Sequence, residues 1–286
     1  MFSWSSVCGE RPAVMGVVNV TPDSFSDGGR YLDPDAAIAR GLELVAEGVD
    51  LLDVGGESTR PGAIPVAEAH ERARVLPVVA ALAAEAGVPV SIDTTKAAVA
   101  VAALEAGATV VNDVSAGLAD PEMLPVVAAM RAGFVVMHMR GEPRTMQTDP
   151  RYGDVVDDVG EFLLERLDAA RAAGIDPRAL CADPGIGFGK TAQHNLALLA
   201  RLSELVERVD VPVLIGTSRK SFIGSVLADS LPAGAPPADR DDGTLATIVW
   251  ALDHGVGIVR VHAVRPAVDA VRLWSEMRAI DMQAAA

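Results

Sequence analysis

The residues able to do chemistry in this chain stand where apolar runs end. Asn19 closes the first run, and Asp53, Glu57, Thr59 and Arg60 follow the next. Asp93, then Asn112 with Asp113, then His138, then Asp183 stand at the following exits. Ser218, Arg219 and Lys220 come after another run, and Arg260 with His262 after the last. The set divides by charge. Arg60, Arg219, Lys220, Arg260 and His262 are donors in an otherwise acidic chain. An arginine fork holds phosphate through two parallel bonds, so some of these suit a phosphorylated ligand. Asp93, Asn112 and Asp183 supply two carboxylates and an amide, which suits a flat heterocycle bearing several N–H and C=O groups. A buried carboxylate is costly unless hydrogen-bonded, and an amidine-like ring edge would be its partner.

Each of these residues also has a plainer use, because Asp or Asn after a strand often caps a helix or makes a turn. Asp53 and Asp113 read as structural, bonded to neighbouring backbone. His138 reads as a wall residue or a satisfied histidine, and Arg219 as a helix-start or surface charge. The stretch DPGIGFGKT (residues 183–191) resembles a phosphate-binding loop, but that pattern needs glycine where Pro184 stands. Its glycines fit better a loop folded close over a ligand, with Phe188 to stack or shield. Ser218–Ser221 opens a short helix whose free N–H groups suit a carboxylate or phosphate.

The elements that must position these groups alternate regularly. Apolar runs at 14–20, 50–54, 89–92, 109–111, 133–137, 179–182, 211–216 and 257–261 are rich in Val, Ile and Leu, as strands buried on both faces are. Helical spacing fills 35–47, 67–86 (with Pro77 as a kink point), 96–106, 121–131, 154–173, 192–209, 239–254 and 265–277. The residues at 231–237 read as a mobile connection. Eight strands, each followed by a helix, predict an α/β chain closed as a single (β/α)8 TIM barrel rather than an open doubly wound sheet. In that architecture the active site lies at the C-terminal ends of the strands. The barrel is assigned to residues 13–278, with an N-terminal tail at 1–12 and a frayed tail at 279–286.

Composition narrows the partners. The 286 residues carry a formal charge of −15, which disfavours a broad nucleic-acid or anionic-membrane surface. Hydrophobic residues make up 50% of the chain, enough for a large core, yet no stretch has the unbroken apolar length of a membrane helix. Cys8 and Cys181 give no disulfide framework, and the N-terminus lacks the basic start and apolar core of a signal peptide. The expectation is a cytoplasmic protein.

Several motifs together resemble one family. NVTPDSFSDGG (19–29), GGESTRPGA (55–63), SIDT (91–94), VND (111–113), DPGIGFGKT (183–191), GTSRKSFIG (216–224) and RVH (260–262) are similar to those of the bacterial dihydropteroate synthases. The resemblance runs from about residue 14 to 271. It implies condensation of 6-hydroxymethyl-7,8-dihydropterin diphosphate with 4-aminobenzoate, giving 7,8-dihydropteroate and diphosphate in folate biosynthesis, a step that sulfonamides target. It further implies Mg²⁺ held by Asn19, a pterin held by Asp93, Asn112, Asp183 and Lys220, and a diphosphate held by Arg260, His262 and Asn19. Thr59 and Ser221 would contact the aminobenzoate, with Arg60 nearby, and the assembly would be a homodimer. The segment 21–29 would act as a lid, ordered only with ligand. One position departs from the family: Ala263 follows RVH where an Asp is usual, which puts the orientation of His262 in question. The alternatives are a pterin-binding methyltransferase of the same fold and a non-catalytic pterin-binding paralogue.

Overall fold

The apolar runs form eight parallel strands: β1 (Ala13–Asn19), β2 (Leu51–Gly55), β3 (Val90–Asp93), β4 (Val110–Asp113), β5 (Gly133–Met137), β6 (Leu180–Asp183), β7 (Leu214–Ile215) and β8 (Ile258–Val261). The structure is a computed structural model that describes residues 1–21, 33–60, 62–231 and 235–285. The expected lid beyond Thr21 and the centre of the expected connection at 231–237 therefore lie outside the described residues. The strands pair in the order β6-β5-β4-β3-β2-β1-β8-β7, and a bridge between Ala182 and Val213 joins the two ends of that order. The sheet thus closes through a single bridge, because β7 is the shortest strand.

Helices pack around the outside. They are α2 (Pro34–Ala46), α3 (Glu68–Glu85), α4 (Ala97–Glu105), α5 (Met123–Met130), α6 (Val155–Ala172), α7 (Ala192–Ala200), α8 (Leu202–Arg208), α9 (Ser221–Val226), α10 (Asp241–Asp253) and α11 (Val264–Ala285), after a short α1 (Ser5–Cys8). Their starts follow local chemistry. Asp33 caps α2 by accepting from the Asp35 N–H, with Pro34 in the first turn, and Asp154 caps α6 by accepting from Val156 and Asp157. The helix expected over 192–209 is two, because the backbone at Arg201 (φ −112°, ψ 29°) leaves helical geometry. α3 runs on through Pro77. The residues expected to fray at 279–286 continue α11 as far as Ala285. No described helix is long and apolar enough to cross a membrane.

The core has two parts. The larger lies between strands and helices. The smaller lies inside the barrel: Ala13, Met15, Leu51, Val110, Val135, Cys181, Leu214 and Ile258, with Trp4 beneath them. Trp4 is 1% exposed, and its indole N–H donates to the Ala179 carbonyl at 2.9 Å. Phe2 meets it edge-on at 5.1 Å. Trp4 thus plugs the N-terminal end of the barrel, with Phe2, Val7 and Cys8 packed partly against it, while the other residues of 1–12 are exposed or half-buried.

This inner ring fixes which residues face the opposite, C-terminal mouth. Side chains along a strand alternate between faces. Counting in twos from the ring gives Asn19, Asp53, Asn112, Met137, Asp183, Gly216, Arg260 and His262 as inward-facing. On β3, Ser91 and Asp93 share the face that includes Asp93. Asp113 and His138 fall on the outer face.

Candidate active site

The floor of the mouth is an ionic cluster. Arg260 Nε donates to Asp53 Oδ2 at 2.7 Å, and a second guanidinium nitrogen donates to Asp93 Oδ2 at 2.9 Å. Asn112 Nδ2 donates to the same Asp53 oxygen at 3.0 Å. Asp53 was expected to bond neighbouring backbone. Its position on the inner face instead makes it the support beneath Asn112 and Arg260, which come from β4 and β8. Burial raises the Asp93 carboxyl to about 7; Arg260 pulls the other way, while Asp53, Glu71 and Asp113 add to the rise. Burial opposes the charge of Arg260, yet Asp53 and Asp93 together hold its pKa above the ordinary value. Asp113, by contrast, is structural as expected. It accepts from Ser115 N, Ser115 Oγ and Gly117 N at 2.7 Å each and ties down the turn after β4.

The glycine-rich loop after β6 forms one wall. Asp183 accepts from the Gly185 N–H at 2.7 Å, and burial raises its carboxyl. Lys190 is 2% exposed and points back under the loop. Its ammonium donates to the Gly185 and Phe188 carbonyls at 3.0 and 3.1 Å, and it lies 2.8 Å from His138 Nδ1. Burial, then Lys190, lowers His138 to about 3, so the ring is a neutral acceptor. His138 is therefore a satisfied histidine, as its outward register requires. The lysine of the phosphate-loop look-alike is spent on the loop's own carbonyls, which agrees with rejecting a nucleotide site. Tyr152 Oη and Asn195 Oδ1 hold Gly189 and Gly187 from outside. Across the cleft, Lys220 Nζ sits 4.0 Å from the centroid of the Phe188 ring. Burial lowers Lys220 to about 8, with Asp183 drawing it back up.

The loop after β2 is fastened from below. Lys96 bridges Glu57 of this loop and the fully buried Glu71 of α3, the latter at 2.6 Å. Thr94 Oγ1 donates to Glu71 at 2.7 Å, which ties the same group to the end of β3. Arg74 donates to the Gly56 carbonyl at 2.9 Å. The loop then carries Thr59 to the cleft and leaves Arg60 exposed. Its tip touches the loop after β5 through Gly62 N–H to the Pro143 carbonyl at 3.1 Å.

The exits of β7 and β8 make the remaining rim. Arg219, at φ +60°, forks onto Asp241 of α10 with two bonds of 2.8 Å, so it anchors the Ser218–Ser221 turn rather than standing as a surface charge. Ser221 begins α9. His262 contacts Ser218 at Nδ1, 2.9 Å away. Asn19 ends β1 at the same rim, in register with Gly55.

One cleft of about 340 Å³, counted with the solvent at its mouth, is lined by Thr59, Asp93, Asn112, Val114, Met137, Asp183, Gly185, Ile186, Phe188, Gly216, Lys220 and Arg260. Seven residues nominated from sequence (Thr59, Asp93, Asn112, Asp183, Phe188, Lys220 and Arg260) meet there. Asn19, Arg60, Ser221 and His262 do not line it. Sequence reasoning missed Val114, Met137, Gly185, Ile186 and Gly216, which make the apolar and backbone walls. It also missed the supports Lys96, Glu71 and Lys190. Counting in twos along β5 would have found Met137 in place of His138. A slot with carboxylates and an amide at its floor and cations at its rim can grip a flat ring carrying N–H groups and leave an anionic substituent at the mouth.

Known proteins resemble this chain in sequence and in fold. A model of the family described as pterin binding enzyme matches residues 15–262. The "Dihydropteroate synthase" of Mycobacterium leprae (strain TN) is 53% identical over 262 residues, which covers 91% of each chain. Solved structures of the Xanthomonas albilineans dihydropteroate synthase superpose closely. The structure with 4-aminobenzoic acid has a TM-score of 0.86 at 48% identity and covers 94% of each chain. The structure in complex with 7,8-dihydropteroate has a TM-score of 0.84 at 44% identity and covers 96% of this chain and 98% of that one. Identity of this extent over nearly the whole length is not a likeness of fold alone: the chain belongs to the dihydropteroate synthases of the pterin-binding enzyme family.

Proposed function

We infer that this protein catalyses dihydropteroate synthesis in folate biosynthesis. It condenses 6-hydroxymethyl-7,8-dihydropterin diphosphate with 4-aminobenzoate and releases diphosphate and 7,8-dihydropteroate. The observation that carries the reading is the convergence of Asp93, Asn112, Asp183, Lys220 and Arg260 on one cleft in a chain with these relatives.

In the mechanism, the exocyclic C–O bond breaks and its electron pair leaves with the diphosphate. The pterin becomes a resonance-stabilised cation, the aminobenzoate nitrogen attacks the freed methylene, and the nitrogen then loses a proton. Asp93, Asn112 and Asp183 bind the donor edge of the ring, and the carboxylates stabilise the positive charge that develops there. Lys220 and Phe188 cover it. Arg260 and His262 take the departing phosphate oxygens as N–H donors. Thr59 and Ser221, with Arg60 nearby, receive the aminobenzoate. An arylamine is neutral at pH 7, so no strong general base is needed.

The residues fit Mg²⁺ in one way. The described residues contain no group of three or more His, Cys, Asp or Glu able to hold a metal, while Asn19 presents a hard amide oxygen type at the rim. Such a site suits an ion that arrives with the diphosphate and keeps substrate oxygens and water as its other ligands. When bound, Mg²⁺ neutralises charge on the leaving diphosphate. We further propose a cytoplasmic homodimer. The supports are two free thiols, Cys8 and Cys181, and exposed Leu273, Met277 and Ile280 at helical spacing on α11.

The test mixes purified protein, the pterin diphosphate, 4-aminobenzoate and Mg²⁺ and measures dihydropteroate. Product should form and should respond to sulfonamide. No product above that of Asp93→Asn would overturn the reading. Sedimentation of the purified protein at a monomer mass would remove the homodimer.

A further inference from the structure

His262 follows β8 at the rim, and its side chain is held by a residue from the neighbouring turn. Two contacts join His262 to the Ser218 hydroxyl. The His262 backbone N–H donates to Ser218 Oγ at 3.2 Å, and Ser218 Oγ lies 2.9 Å from His262 Nδ1. A hydroxyl carries one hydrogen and two acceptor lone pairs. The backbone N–H can only donate, so one lone pair accepts there; among the described contacts the hydroxyl hydrogen has no acceptor but Nδ1, and donation to the ring gives it its partner. Donation to Nδ1 makes Nδ1 the acceptor and leaves the ring proton on Nε2.

The residue after His262 contributes nothing polar. Ala263 ends in a methyl group, so it cannot orient an imidazole by hydrogen bonding. Ser218 is 7% exposed, and its turn is itself clamped. The Arg219 fork onto Asp241, the Arg219 N–H to Thr244 Oγ1 at 3.0 Å and the Arg240 bond to the Arg219 carbonyl at 3.0 Å all fix the backbone beside Ser218. Thr217 Oγ1 is also bonded, accepting from Thr247 Oγ1 at 2.8 Å. The hydroxyl therefore sits on a rigid mount.

We propose that Ser218 is a positioning residue for the reaction: its hydroxyl fixes His262 as the Nε2–H tautomer, which makes that N–H a pre-aimed donor for the departing diphosphate. The proposal rests on the reading of His262 as a diphosphate contact. A donor that is already oriented gains strength as the leaving oxygen gains charge, with no reorganisation at that moment. It needs no proton transfer. The ring stays neutral because burial and the cations Arg260, Arg219, Arg60 and Lys220 lower its pKa to about 3. Loss of the hydroxyl would let the ring rotate and sample the other tautomer, which lowers the rate of C–O cleavage more than the binding of substrate.

The experiment compares wild type, Ser218→Ala and Ser218→Thr. Selective ¹⁵N labelling of the five histidines, with His262 assigned from the spectrum of His262→Gln, reads the tautomer in the ligand-free protein. Wild type and Ser218→Thr should show a bare Nδ1 and a protonated Nε2, and Ser218→Ala a mixture. In steady state, Ser218→Ala should lose roughly 10- to 100-fold in kcat with less than about a threefold change in KM for either substrate. Ser218→Thr should recover most of that loss. A wild-type ring protonated at Nδ1, or a tautomer unchanged in Ser218→Ala, overturns the proposal. So does a loss confined to KM. Wild-type protein that shows the Ser218-dependent tautomer but forms no dihydropteroate would instead overturn the reading of the function.

Discussion

Asp53 and Arg260 meet inside the barrel, Oδ2 to Nε at 2.7 Å, although 207 positions separate them in the chain. β2 and β8 flank β1 in the sheet, so the pair spans β1. Asp53 is fully buried and does not line the cleft, yet Arg260 and Asn112, which do, both rest on its single oxygen Oδ2. The ion pair is thus the link between the barrel interior and the substrate floor. Removing Asp53 takes from Arg260 and Asn112 their shared acceptor and leaves Asp93 as the remaining carboxylate on Arg260. Asp53→Ala should cost about 2 kcal/mol of unfolding free energy through the lost charge-assisted bonds, read by denaturant titration. It should also weaken pterin binding at least tenfold by calorimetry. Unchanged affinity would show that Arg260 and Asn112 hold their places without Asp53.

Lys190 tests the meaning of the glycine loop. Its ammonium serves the Gly185 and Phe188 carbonyls and His138 Nδ1. Lys190→Met keeps the stem and removes the donors, leaving buried acceptors unpaired at roughly 2 kcal/mol. Melting should fall and pterin affinity should drop, because Phe188 loses its fixed place beneath Lys220. A variant that loses phosphate affinity with its melting temperature intact would return Lys190 to the role of a phosphate ligand.

Two glycines separate close approach from simple backbone freedom. A Cβ on Gly185 would lie 1.9 Å from the His138 carbonyl oxygen, and its φ is +64°. Backbone cannot step aside as a side chain can, so Gly185→Ala should displace the loop and abolish pterin binding. Gly62 has φ +83° with nothing within 4 Å of the added carbon. Gly62→Ala should carry only the conformational penalty of about 1–2 kcal/mol. Thermal melts and pterin titrations of the two variants should therefore differ sharply, and equal losses would contradict the steric account.

The buried Asp93 predicts a pH slope in the ligand-free protein. Its folded pKa is raised to about 7, above the ordinary carboxylate value near 4. Between those values the folded state binds more protons than the unfolded one, so stability falls as pH rises. Below about pH 4 both states are protonated and the contribution is fully present. Chemical denaturation from pH 4 to 7 should show this decline, superposed on other titrations, and Asp93→Asn should flatten it. Matching slopes in the two proteins would mean that Asp93 is not proton-linked to folding.

The sequence by itself determined the architecture, because strands buried on both faces leave unbroken Val, Ile and Leu runs and the helices between them keep their own period. It also marked the exits, since a polar residue at the end of an apolar run announces where the chain reaches water. Six of the seven nominated residues that meet in the cleft are polar groups at or just past such exits, and Phe188 is the seventh. What the sequence left undecided was which neighbour of a polar pair turns inward. Asn112 and Asp113 are adjacent and equally polar, yet only Asn112 faces the floor; Met137 lines the cleft while His138 serves the loop beneath. The alternation was present in the chain, but its phase is set by the inner ring around Met15, Leu51 and Ile258, which exists only once the barrel closes. The supports depended wholly on tertiary structure. Lys96 with Glu57 and Glu71, Lys190 with His138, and Ser218 with His262 are joined across separate βα units, and nothing local in the chain specifies such partners. A buried charge or imidazole takes whatever complementary group the fold brings within reach, and that choice is made by packing.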